Sequence, residues 1–160
     1  MRNFRFIFFL LFIGVMFSQK CNSQKFGKSI LGNWYIYSID STQSDPYYFY
    51  YTEIFIKKDT IFATSETVGY FSPVEFKIYG DSVSYNVQYE YSWRAKIESV
   101  TQDSFSLRIG LEDGDRIDKY YKLKGNPNLE DFRNGRVSKT EFYDKYRNRM
   151  MNLEKSLGLY

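Results

Sequence analysis

Eight short runs rich in Tyr, Phe, Val and Ile, most of them two to four residues apart, constrain this chain more than any other feature. They span roughly Trp34 to Asp40, Tyr48 to Lys57, Thr60 to Ser65, Val74 to Tyr79, Ser82 to Glu90, Trp93 to Val100, Ser104 to Leu111 and Arg116 to Leu123. Runs of that length and composition, bounded by turn residues, predict β-strands. The links Lys58-Asp59, Gly80-Asp81, Thr101 to Asp103 and Asp113-Gly114 are too short for crossover helices, so successive strands must be antiparallel neighbours. The expectation is an all-β domain.

Strict alternation marks the fifth and seventh runs. Val83, Tyr85, Val87 and Tyr89 oppose Ser84, Asn86, Gln88 and Glu90; Phe105, Leu107, Ile109 and Leu111 oppose Ser104, Ser106, Arg108 and Gly110. A period of two places one set on a buried face. The second run differs, because Tyr48, Tyr50, Ile54 and Ile56 share one face while Phe49, Tyr51 and Phe55 share the other. Something must cover its outer side. The C-terminal segment supplies a cover: Phe142, Tyr146, Met150, Leu153 and Leu157 recur at helical spacing over residues 139–157, with Asp144, Lys145, Arg147, Arg149 and Lys155 assigned to the opposite face. Ser138 and Glu141 have the spacing of a capping box, and Gly158 suits the helix end.

Ahead of the strands, residues 1–23 read as an export signal. Arg2 and Arg5 precede an apolar stretch from Phe6 to Phe17, interrupted only by Gly14. Twelve residues fit the roughly 7–15 of a secretory signal and fall short of the ~20 that span a bilayer. Cys21, the only thiol, follows closely and resembles the acylated first residue of a mature bacterial lipoprotein, although Lys20 stands where a small residue normally precedes that cysteine. Cleavage after Ser18 or Ser23 without lipidation is the alternative. Export is expected, to the periplasm or outer membrane as a lipoprotein and otherwise as a secreted protein, with membrane attachment through a lipid anchor only.

Composition then removes whole classes of function. The chain has no histidine and one cysteine, which excludes disulfide frameworks, Cys/His zinc sites and histidine-based triads. Of 22 basic side chains, Arg2, Arg5 and Lys20 lie in the leader, so 19 remain against 19 acids in residues 24–160. A neutral domain carries no electrostatic footprint for nucleic acid. Six of the fifteen Phe are in the leader, yet nine remain beside sixteen Tyr and two Trp, so the domain is conspicuously aromatic.

Gly32-Asn33-Trp34 opens the first run after a short turn. This resembles the entry of the lipocalin fold, a Gly-x-Trp motif leading into an eight-stranded up-and-down barrel with a later C-terminal helix. The resemblance covers about 130 residues and favours the looser bacterial lipocalin-like group. It implies a barrel over residues 24–160, with Gly32 and Trp34 as structural residues at its closed end. In lipocalins an arginine from the last strand commonly covers the tryptophan; here that stretch offers Lys122 and Lys124 instead.

Two acidic groupings have simple readings. Glu130 to Glu141 looks like the latter half of an EF-hand loop, with Asn134, Gly135, Val137 and Glu141 in register, but Phe132 stands at a ligand position. A turn and a capped helix explain the same residues, and no metal is expected. Glu112, Asp113, Asp115 and Asp118 surround an Asp-Gly turn, as the solvated tip of a hairpin does. No paired carboxylates with catalytic spacing are identified, so no enzymatic activity and no cofactor are expected.

The tyrosines carry the remaining functional signal. Tyr48, Tyr50, Tyr85, Tyr89 and Tyr91 are candidates to line a cavity whose hydroxyls orient a small, partly hydrophobic ligand. The competing expectation is a barrel filled by its own side chains, with the aromatic Tyr47 to Tyr51 run serving as a surface for another macromolecule.

Overall fold

The computed structural model describes residues 29–40, 48–67, 69–71, 73–87, 91–111 and 114–159. Nine strands follow one another: β1 (Gly32–Asp40), β2 (Tyr48–Lys57), β3 (Thr60–Ser65), β4 (Gly69–Tyr70), β5 (Val74–Tyr79), β6 (Ser82–Val87), β7 (Tyr91–Val100), β8 (Ser104–Leu111) and β9 (Gly114–Lys122). After the strands come the helices α1 (Leu129–Arg133) and α2 (Lys139–Ser156). All strand pairs are antiparallel, in the order β2-β1-β9-β8-β7-β6-β5-β3, and pairing of β2 with β3 closes the ring. The eight predicted runs are the eight staves of an up-and-down barrel. The ring is closed through two short seams, β1 with β9 at Trp34 and Tyr35 and β3 with β5 at Thr60 and Ile61.

The ninth strand was not foreseen. β5 pairs with β3 only at Thr60 and Ile61, and the two-residue β4 takes up the same edge at Thr64 and Ser65. The Thr64 hydroxyl donates to the Gly69 carbonyl at 3.0 Å, tying that short return.

Alternation sorts each strand into an inner and an outer row. Trp34, Ile54, Ile56, Phe76, Val83, Ala95, Ile97, Phe105, Leu107 and Ile109 pack together inside the barrel. A register shift in β7 between Ile97 and Ser99 keeps this order: Val100, opposite Phe105, still joins the inner cluster, while Ser99 and Ser106 share a hydrogen bond of 2.7 Å outside.

One end is plugged by the approach to β1. Trp34 has no exposed surface; its indole N–H donates to the Ile30 carbonyl at 2.9 Å, and its ring meets Phe105 edge-on at 4.8 Å. Lys122, from the end of β9, lies over the indole with Nζ 4.2 Å from the ring centroid and reaches the Leu31 carbonyl at 3.4 Å. Lysine thus fills the place in which the lipocalin pattern puts arginine, and cation–π attraction explains the contact. Glycine suits position 32 because its φ of +112° is a conformation that other residues rarely adopt.

A second apolar cluster lies outside the barrel, where α2 covers β1, β2 and β3. Phe142, Tyr146 and Met150 are buried against Tyr51 and Phe62, flanked by Tyr35, Phe49 and Phe55. The two-sided β2 is therefore explained: its outer aromatics are the seat of the helix. Its turn-by-turn anchoring departs from expectation at two residues. Arg149 points inward rather than to solvent, and Leu157 is the exposed C-cap rather than the last core residue. Arg149 donates from Nε to Glu53 Oε1 at 2.7 Å, from Nη2 to Oε2 at 2.9 Å, and from Nη1 to the Pro127 carbonyl at 2.9 Å. The Tyr51 hydroxyl adds a bond of 3.0 Å to Glu53, which is fully buried. Burial disfavours the Arg149 charge, but its bonds to Glu53 outweigh that and hold the guanidinium above its ordinary pKa.

The helix starts close to where it was predicted. Ser138 accepts from the Glu141 amide at 3.2 Å, but among the described residues the reciprocal half of that capping box is not formed. A complete box occurs instead on α1, between Asn128 and Asp131. Asp131 also pairs with Arg136 at 3.2 Å, so one of the three carboxylates in the stretch compared with an EF-hand is spent on local turns. No group of three His, Cys, Asp or Glu side chains suited to a metal occurs among the described residues. Titration calorimetry should register no micromolar calcium binding; binding abolished by Glu141→Gln would contradict this reading.

Candidate ligand-binding site

The inner rows leave a cavity of about 300 Å³. Its wall is almost wholly apolar, formed by Ile54, Ile56, Ile61, Ala63, Phe71, Val74, Phe76, Phe105 and Leu107 above Ile30 at the closed end. The two polar exceptions are Tyr85 of β6 and Tyr120 of β9. Space opens here because small Ala63 and Ile61 face the seam where β3 and β5 keep only two paired residues. Phe105 stacks on Tyr120 at 4.5 Å and holds that ring against the wall.

Beyond the phenols, the inner row of β9 continues as Asp118 and Arg116, opposite Leu107 and Ile109 of β8. Arg116 Nε lies 2.9 Å from Asp118 Oδ1, and Nη2 donates to Oδ2 at 3.1 Å. Burial, followed by the negative charge of Asp118, pushes both phenols above their ordinary pKa, with Arg116 opposing. Both are therefore neutral donors and acceptors near pH 7.

The predicted site residues are only partly gathered. Tyr85 lines the cavity. Tyr50 does not; it lies on β2 with 48 % of its surface exposed. Tyr48 and Tyr91 belong to β2 and β7, but their side chains lie outside the described set, and Tyr89 and Cys21 lie outside the described residues altogether. Tyr120 was missed. Asp118 was grouped with a solvated hairpin tip, yet its side chain is only 15 % exposed; Asp115 does face outward and pairs with Arg108 at 3.0 Å. Glu112 and Asp113 lie outside the described residues.

No family model, curated protein or solved structure matches the chain. The likeness to lipocalins therefore stands on architecture: a closed eight-stranded antiparallel barrel, a tryptophan plug under a last-strand cation, and a C-terminal helix packed outside.

Two larger depressions lie on the outer surface and offer less. One, about 440 Å³ beside α2, contains Arg149 and Lys124, already paired with Glu53 and Asp103. The other, about 690 Å³ across β5 to β9, contains Lys77 and Arg108, paired with Glu75 and with Glu98 and Asp115. The interior cavity combines an apolar wall with two placed polar groups, the pattern of a small-molecule site.

Proposed function

We propose that the protein is a non-enzymatic, exported lipocalin-like barrel that holds a small, partly hydrophobic molecule in the cell envelope. The observation that carries this reading is the apolar cavity of about 300 Å³ with two neutral phenols at one side. A volume at the lower end of the usual ~300–1,000 Å³ range suits a small ligand. The alternative, an interaction protein using the aromatic Tyr47 to Tyr51 run, has Tyr50 exposed but loses Phe49 and Tyr51, which seat α2.

Native mass spectrometry of protein purified from its host tests the reading. One small-molecule adduct per chain is expected. Tyr85→Phe should weaken retention of that adduct by about tenfold, the scale of one lost hydrogen bond, with little change in melting temperature. A bare chain from the host, together with wild-type behaviour of Tyr85→Phe, would argue for the filled-barrel alternative.

The proposed address has its own test. Cys21 should appear as an acylated N-terminus in the membrane fraction, as judged by mass spectrometry of the mature protein. An unmodified chain beginning at Gln19 or Gln24 would instead indicate ordinary cleavage.

A further inference from the structure

Beyond the two phenols that form the polar side of the cavity, the inner row of β9 carries a closed ion pair. Arg116 engages both oxygens of Asp118, and the carboxylate is the more enclosed partner, 15 % exposed against 57 % for the guanidinium. The inner row of β9 therefore presents a pair of zero net charge next to Tyr120, across from Leu107 and Ile109 of β8. Among the described residues no charged side chain lines the cavity, so an ion entering it meets no opposite charge there. A carboxylate would have to compete with Asp118 for Arg116, and an ammonium with Arg116 for Asp118. Burying a charge without a partner is costly, whereas burying a hydroxyl that gains hydrogen bonds is not. The two phenols supply those bonds, since each can both donate and accept.

Resting on the cavity reading above, we infer that the natural occupant is an uncharged molecule with an apolar body and a hydroxyl or amide end held by Tyr85 and Tyr120. Carboxylates and amines of the same size are rejected. Cavities of about 150 Å³ admit benzene, so one of twice that volume takes roughly ten to fifteen non-hydrogen atoms.

The experiment is a calorimetric titration of the protein at pH 7 with 1-octanol, octanoate and octylamine, which share one tail. Octanol should bind at least about tenfold more tightly than either ion. Tyr120→Phe should reduce octanol affinity, and Asp118→Asn, by freeing Arg116, should turn the preference toward octanoate. Equal or tighter binding of octanoate or octylamine to the wild type overturns the inference while leaving the cavity reading in place. If none of the three binds, the cavity reading fails and the inference with it. The wild-type comparison decides the matter even where a variant folds poorly.

Discussion

Arg149→Ala should lower the unfolding free energy by about 3–5 kcal/mol, the usual effect of stranding one member of a buried ion pair. The arginine makes two bonds to Glu53 and one to the Pro127 carbonyl, and Glu53 has no exposed surface. Among the described residues, removing the guanidinium leaves the carboxylate hydrogen-bonded to the Tyr51 hydroxyl alone. Arg149→Lys should recover part of the loss, because an ammonium restores charge without the planar fork that matches both oxygens. Replacing both residues by methionine should be far milder than either single truncation, since desolvation of the pair offsets much of its attraction. Urea unfolding followed by circular dichroism measures all three. A loss below about 1 kcal/mol for Arg149→Ala would mean that the helix is held by its apolar stripe alone.

Trp34→Ala should be of similar size, about 3–5 kcal/mol, a large share of the roughly 5–15 kcal/mol that stabilises a domain. The truncation empties the plug at the closed end, strands the Ile30 carbonyl, and removes the ring over which Lys122 lies. Lys122→Ala removes that contact together with the bond to the Leu31 carbonyl and should cost only about 0.5–2 kcal/mol. A melting temperature within a few degrees of the wild type for Trp34→Ala would show that the plug does not hold the barrel shut.

The barrel was legible because its staves announce themselves. Two- and three-residue links left no room for anything but neighbouring antiparallel strands, and the doubly apolar Tyr48 to Lys57 run demanded the cover that Phe142, Tyr146 and Met150 provide. The ion pair under that cover was also within reach. Glu53 sits between Tyr51 and Phe55 on the outer row, and Arg149 lies three residues after Tyr146 and four before Leu153, on the helix stripe itself. A carboxylate and a guanidinium each placed on an apolar face are partners, but the charge of Arg149 alone suggested solvent.

The cavity was only half legible. Tyr85 belongs to a strand with clean alternation, so its inward direction follows from Val83 and Val87. β9 has no such pattern: Arg116, Asp118 and Tyr120 alternate with Ile117, Lys119 and Tyr121, and polarity gives the wrong side. Only its register against Leu107 and Ile109 shows which row faces in. β4 was missed for another reason, since its two residues take an edge that β5 leaves and carry no periodicity of their own.

The central claim is that small molecules bind inside the barrel, and methyl-resolved NMR of the protein titrated with 1-octanol tests it most directly. The account predicts shifts and ligand contacts at the methyl groups of Ile54, Ile61, Ala63 and Leu107, with Leu129 and Met150 under the helices unchanged. Shifts confined to Leu129, Met150 and Leu153, or none at any of these methyl groups, would contradict it.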